Sequence, residues 1–149
     1  MTTVAQSMIL TELDELLPYR GAVQARRAIE FSTALSGSPG ESLGRVQFHA
    51  LRLPAPELQV EFFDELGSIG FVDFYWRDLG LIGEFDGVSK YGARRLFQTG
   101  LTLRDILMRE KAREDRLRRV SRGFVRLGWK LVNDRQALAA ELRRYGLTR

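Results

Sequence analysis

Apolar and polar positions along the chain change period several times, and each change marks an expected element. Residues 10 to 35, LTELDELLPYRGAVQARRAIEFSTAL, keep a helical spacing interrupted between Pro18 and Gly21, which predicts two helices. SGSPG, at 36 to 40, is a loop by composition. Glu41 then opens an amphipathic helix, ESLGRVQFHALRL, that must stop before Pro54. Beyond it the period drops to two. A strand over 58–63 and a second over 69–76 are joined by a turn from Glu65 to Ser68 that includes Gly67, a hairpin pattern. A short DLG turn leads into a third strand over 80–86. Residues 87 to 101 are Gly-rich and basic and read as a loop. Helical spacing returns over 102–120, with Thr102 or Asp105 available near its start. GFVRLGW, 123–129, is a fourth strand, and a closing helix spans about 134–145. An antiparallel meander followed by a helical crossover into a further strand predicts an α/β fold, an α+β mixed sheet flanked by helices, in the order α-α-β-β-β-α-β-α. The expected division is a helical extension over 1–36 and a single compact domain over 37–149.

Composition narrows the chemistry. With 149 residues, 44% of them hydrophobic, the chain can bury one real core and hardly two. No apolar run approaches the roughly 18 residues of a membrane span, and acids at Glu12, Asp14 and Glu15 stand where a secretory signal would be apolar. No membrane partner is expected. Zero cysteines exclude disulfides, thiolate zinc sites and cysteine nucleophiles, in keeping with a cytoplasmic location. The single histidine, His49, excludes multi-histidine metal centres. Any metal must be held by oxygen, which favours Mg²⁺ or Mn²⁺.

The net charge of +4 is unevenly spread. Between Lys90 and Lys130 stand thirteen basic and four acidic residues, while the remainder of the chain is acidic on balance. One positive flank on a mildly acidic body suggests a footprint for a polyanion, with a solvated arginine-rich helix as the alternative.

Three acids interrupt the strand pattern. GFVDFYW and LIGEFDG carry Asp73, Glu84 and Asp86 among apolar and aromatic neighbours. A buried carboxylate is costly unless it is paired or holds a cation. Alternation puts Glu84 and Asp86 on one face, and a tight turn between adjacent strands about 5 Å apart brings Asp73 close to them. Carboxylates at that distance repel unless a cation stands between them. Pairing with arginines at the sheet edge is the alternative. On the helix 102–120, Glu110 and Glu114 fall within about 20° of an apolar stripe set by Leu103, with Lys111 at about 80°. That arrangement would push two carboxylates and a lysine toward the sheet acids, whereas pairing with Arg113 and strand arginines would make them an ordinary ion-pair network. Glu41, in the first turn of its helix, is accounted for by the helix dipole alone.

Taken together, ESLGRVQFHALRLPAPELQVEFFD, VDFYW, GEFDGVSKYG and REKAREDRL…GFVRLGW resemble the small actinobacterial endonuclease-domain proteins. These lie in the very-short-patch-repair-like branch of the PD-(D/E)xK, restriction-endonuclease-like superfamily. The resemblance covers about residues 20 to 135. It implies a restriction-endonuclease-like core and a Mg²⁺- or Mn²⁺-dependent endonuclease that hydrolyses phosphodiester bonds of nucleic acid, DNA before RNA. Glu41 matches the early helical acid, Asp73 the first strand acid and Glu84 the acid of the (D/E)xK element, and these three are the implied metal ligands. Where the superfamily places a lysine two residues after that acid, this chain has Asp86, as the branch's E.DG form does. The implied catalytic set is thus Asp73, Glu84 and Asp86 with a lysine that comes from elsewhere, first Lys111 and then Lys90, or is dispensed with.

Lys90, Arg94, Arg95, Arg113, Arg118 and Arg122 are expected to grip phosphates, with Glu110, Glu114 and Tyr91 in support. Many relatives carry an N-terminal DNA-binding or antitoxin-like region, for which the first 35 residues leave no room, so specificity is expected to be missing or to come from a partner. The expected partners besides nucleic acid are a second copy in a homodimer or a DNA-targeting protein. The competing reading is a catalytically inactive nuclease fold acting as a DNA-binding or antitoxin-like regulatory module.

Overall fold

The computed structural model describes residues 6–16, 18–86 and 102–149. The chain divides into two compact units, Met1–Leu35 and Ser36–Arg149. The first is a helix pair, α1 (Gln6–Glu15) and α2 (Ala22–Phe31). The Gln6 amide donates to the Ile29 carbonyl and Arg26 pairs with Asp14, so polar ties across the pair supplement a modest apolar contact.

In the second unit the order is α3 (Pro39–Ala50), β1 (Glu57–Asp64), β2 (Gly67–Trp76), β3 (Leu81–Asp86), α4 (Leu103–Val120), β4 (Gly123–Gly128), the single turn α5 (Trp129–Val132) and α6 (Arg135–Arg143). The fold is mixed α/β with a four-stranded sheet in the order β1-β2-β3-β4. The first three strands pair antiparallel and β4 joins β3 in parallel, as a crossover through α4 requires. The three helices before the hairpin are the pair expected over 10–35 and the one expected from Glu41, one more than the abbreviated order counts, and the end of the expected fourth strand turns into α5 at Trp129.

Two apolar layers cover the sheet. On one face Phe48 of α3 packs edge-on against Phe74 and Trp76, both ring pairs 5.2 Å apart, with Leu81, Val125, Leu127 and the α5 and α6 residues Val132, Leu138 and Leu142. On the other, Leu117 of α4 packs on Ile69, Val72, Ile82 and Phe124. Gly40, Gly44 and Phe48 lie four apart on one side of α3. A Cβ at Gly40 would stand 2.0 Å from the Phe85 ring, and one at Gly44 would stand 3.3 Å from Phe74. The missing side chains let the N-terminal half of α3 press on the sheet, and that approach carries Glu41 inward.

α4 is turned about its axis relative to the expected stripe. Its Thr102–Asp105 capping box forms as the sequence suggests. Among the described side chains it buries Leu117 and half-buries Asp105, Ile106, Arg113, Glu114 and Arg116, a set centred about 80° away from the Leu103 direction, with Glu114 left nearest that direction. Of the expected stripe, Leu107 is exposed while Ile106 is half-buried. Leu117 is fully buried and Arg116 holds Asp64 through two bonds of 2.7 and 2.5 Å, and these anchors at the helix's far end set the rotation. Asp64 is held down at about 2 by that Arg116 pair.

Candidate active site at a fork in the sheet

β2 pairs with β3 only at Phe74↔Gly83, Tyr75↔Ile82 and Trp76↔Leu81, whereas β3 continues against β4 as far as Asp86↔Gly128. The β1–β2 hairpin therefore peels away from β3 beyond Phe74. Continuing the register would set Asp73 opposite Glu84. Instead Asp73 Oδ2 accepts the backbone N–H of Phe85 at 2.8 Å, filling the fork with a carboxylate where a strand carbonyl would otherwise stand.

Three acids converge on this fork. Asp73 lies in it, half-buried. Glu41 is buried at the start of α3, where Ser38 caps the Glu41 N–H and the Glu41 carboxylate turns back to accept Gly37 N–H at 2.7 Å. Glu84 leaves β3 toward α4 with only 12% of its side chain exposed. The Asp73 carboxyl is pushed up to about 6: burial raises it most, the Phe85 N–H pulls it down, the charges of Glu41 and Glu84 push it up, and the Gln59 amide pulls it down. Asp73 therefore senses both acids, one on each side.

Two donor side chains strap the fork. The Gln59 amide Nε2 lies 3.3 Å from Asp73 Oδ1 and 3.4 Å from Glu41 Oε2. Arg113 Nη2 lies 2.6 Å from Glu84 Oε1 and 2.6 Å from the Phe71 carbonyl, joining β3 to β2. Burial would lower the Arg113 pKa, but its pairing with Glu84 and the charges of Glu110 and Asp73 raise it. Among the described residues no three His, Cys, Asp or Glu side chains stand close enough together to hold a metal ion as they are. The donors are all hard oxygens, the chemistry of Mg²⁺ or Mn²⁺, and Gln59 and Arg113 stand beside the carboxylates that such an ion would neutralise. Arg113→Ala leaves Glu84 half-desolvated without a partner. The expected loss is about 2 kcal/mol in thermal or denaturant unfolding, below the value for a fully buried pair because the guanidinium keeps some solvent.

Several expected site residues stand elsewhere. Lys111 does not aim at the acids; it is exposed and shares a surface hollow with Arg104, Leu107 and Met108, because α4 is rotated. Glu110 is exposed for the same reason. Glu114 is turned to Arg118, at 2.7 Å, and to Arg126 of β4, at 2.5 Å, which is the ion-pair alternative. Asp86 sits at the end of β3 with half its side chain exposed and faces Arg126 at 3.3 Å. Arg113 and Arg118, expected on phosphates, are both in ion pairs, and Arg118 also covers the Phe124 ring. Arg122 is exposed at the foot of β4, its N–H on the Gly80 carbonyl. Lys90, Tyr91, Arg94 and Arg95 lie outside the described residues.

Sequence reasoning missed the parts played by Gln59 and Arg113. A polar residue between Leu58 and Val60 is the only signal for Gln59. Counting pairs back from the turn sets Gln59 opposite Val72, whereas the bulge at Phe62/Phe63 shifts the register by one and brings it opposite Asp73. No helix among the described residues is long and apolar enough to cross a membrane.

No family model matches the chain, and no solved structure matches it. Two proteins of Mycobacterium tuberculosis described as uncharacterized, one from strain CDC 1551 / Oshkosh and one from strain H37Rv, are each 33% identical to it over 85 residues. That region is 57% of this chain and 31% of each relative, so the chain matches about a third of the length of these relatives.

Proposed function

We propose that the fork is the active site of a divalent-metal-dependent phosphodiesterase with a restriction-endonuclease-like core, acting on nucleic acid and on DNA before RNA. The observation that supports this reading most is that Glu41 and Glu84, from two other elements, both act on Asp73, whose carboxyl is pushed up to about 6 by burial first and then by these two charges. Ordinary strand acids seek arginines, as Asp64 and Glu57 do here with Arg116 and Arg77. Among the described residues Asp73 forms no such ion pair; it accepts from the Gln59 amide and the Phe85 N–H, two further acids push its carboxyl up, and the Arg113 guanidinium bound to Glu84 feels its charge.

In this reading Asp73, Glu41 and Glu84 hold Mg²⁺ or Mn²⁺. When bound, the ion supplies polarisation of the phosphate and acidification of an attacking water. Hydrolysis breaks one P–O ester bond, adds the water oxygen to phosphorus and leaves a proton for the departing oxygen. Arg113 takes the part expected of the lysine, a positive charge held beside Glu84 that stabilises the charge developing on the phosphate. Arg104, Arg109 and Lys111 on the exposed side of α4 meet flanking phosphates, so binding weakens as salt rises.

A nicking assay on supercoiled plasmid tests the proposal. Cleavage is expected with Mg²⁺ or Mn²⁺, none with EDTA, and none from Glu84→Ala, which should still shift DNA in a gel. Undiminished metal-dependent nicking by Glu84→Ala would overturn the assignment. DNA binding without any nicking by the wild type would favour the regulatory-module reading instead.

A further inference from the structure

Gln59 sits in β1 with φ of +51°, one of two non-glycine residues at positive φ among those described. The other, Arg52 at +57°, has a plain cause. It follows the C-terminal end of α3, where the left-handed conformation lets Leu53 N–H reach the Phe48 carbonyl and close the helix. No helix ends at Gln59. A left-handed residue inside a strand is strained for any side chain with a Cβ, and glutamine gains nothing locally that glycine or asparagine would not supply at lower cost.

The kink changes which face the strand presents. Leu58 packs with the Phe48 layer and Val60 with the Leu117 layer, although residues two apart in an even strand share a face. Partner strand β2 makes the same switch, Val72 lying in one layer and Phe74 in the other, so the break in β1 stands opposite the break at Asp73. From the break, the Gln59 side chain spans the gap between the helix acid Glu41 and the strand acid Asp73, with its Nε2 near an oxygen of each.

We propose that Gln59 is a positioning residue that keeps the Glu41 and Asp73 carboxylates beside one another for a cation to draw together, and that the strained backbone of β1 is kept to aim its amide at both. The proposal rests on the phosphodiesterase reading and adds to it a group that touches the two carboxylates rather than the substrate. Without the amide, two acids from independently packed elements have no common partner and spread apart under their own repulsion. Hydrogen-bond partners of metal ligands matter at this level, and their loss typically lowers metal affinity about 10- to 100-fold.

The test compares wild type, Gln59→Gly and Gln59→Asn by isothermal titration with Mn²⁺, by thermal unfolding without metal and by plasmid nicking. Glycine and asparagine both accept the left-handed conformation, but glycine lacks the amide and asparagine falls one methylene short. Both variants are expected to unfold within about 3 °C of wild type or above it, to bind Mn²⁺ about 10- to 100-fold more weakly, and to nick correspondingly less at fixed metal. Wild-type Mn²⁺ affinity in the two variants would overturn the positioning role while leaving the phosphodiesterase reading intact. A merely structural role predicts that outcome, with only the unfolding temperature changing. A wild-type chain that neither binds Mn²⁺ nor nicks would sink the phosphodiesterase reading, and the role of Gln59 with it. Should Gln59→Gly fail to fold, Gln59→Asn decides.

Discussion

The Asp73→Asn variant is expected to be more stable than the wild type and devoid of metal-dependent nicking. Folding places this carboxyl where burial and two neighbouring acids push it from the ordinary 3.8 up to about 6. Because its folded value lies above its unfolded one, the native state binds more protons between about pH 4 and 6, and its contribution to stability falls as pH rises through that window. The shift alone would amount to about 3 kcal/mol. Asp73 is only half-buried, so solvent screening reduces this to about 1 to 2 kcal/mol. An asparagine keeps the bond to Phe85 N–H and loses the one from Gln59, which brings the expected gain at pH 7.5 to about 1 kcal/mol, or about 3 to 5 °C. At pH 4 the difference should vanish. A variant that is less stable than wild type at pH 7.5 would show that Asp73 is a structural acid. Gain of stability with loss of function is the expected signature of a site held in a costly arrangement.

The second large effect is expected at Gly40→Ala. The added Cβ would meet the Phe85 ring at 2.0 Å, with two more ring atoms within 2.5 Å. That ring is not free to swing, because Trp129 packs edge-on against it at 5.0 Å and it borders the Phe48 layer. Helix propensity favours alanine by about 1 kcal/mol, and overpacking costs about 1 to 3 kcal/mol and occasionally more, so overpacking wins with a net loss of about 2 kcal/mol. Gly44→Ala meets Phe74 only at 3.3 Å and should come out near neutral, which makes it the control. Activity should suffer more than stability. Relief of the clash moves the first turn of α3, and Glu41 is the residue that follows Gly40. A displacement of about 1 Å at a catalytic group lowers the rate about 100-fold. Nicking by Gly40→Ala at a temperature where it is fully folded should show that loss. An activity equal to that of Gly44→Ala would remove Glu41 from the site.

Much of the architecture was legible in the chain itself. Alternation at 58–63, 69–76 and 80–86 marks three strands that form at Glu57–Asp64, Gly67–Trp76 and Leu81–Asp86, and the capping pair Thr102 and Asp105 marks the start of α4. These signals are local, since each depends on neighbours within a turn or a strand. Asp73 and Glu84 stood out for a local reason as well, as charges inside runs that otherwise read as buried.

The rest depended on contacts between distant residues. The rotation of α4 follows from anchoring at Leu117 and Arg116, so Arg113 faces Glu84 and Lys111 faces outward, although the apolar stripe of the helix favours the reverse. The bulge at Phe62/Phe63 and the kink at Gln59 decide which residue stands opposite Asp73, and neither leaves a mark in composition or periodicity. Strand and helix identity were set by the sequence alone, because hydrophobic periodicity is a property of consecutive residues. Which charges meet at the fork was decided only by the folded structure, because a helix rotation and a one-residue register shift are settled by packing summed over the whole sheet.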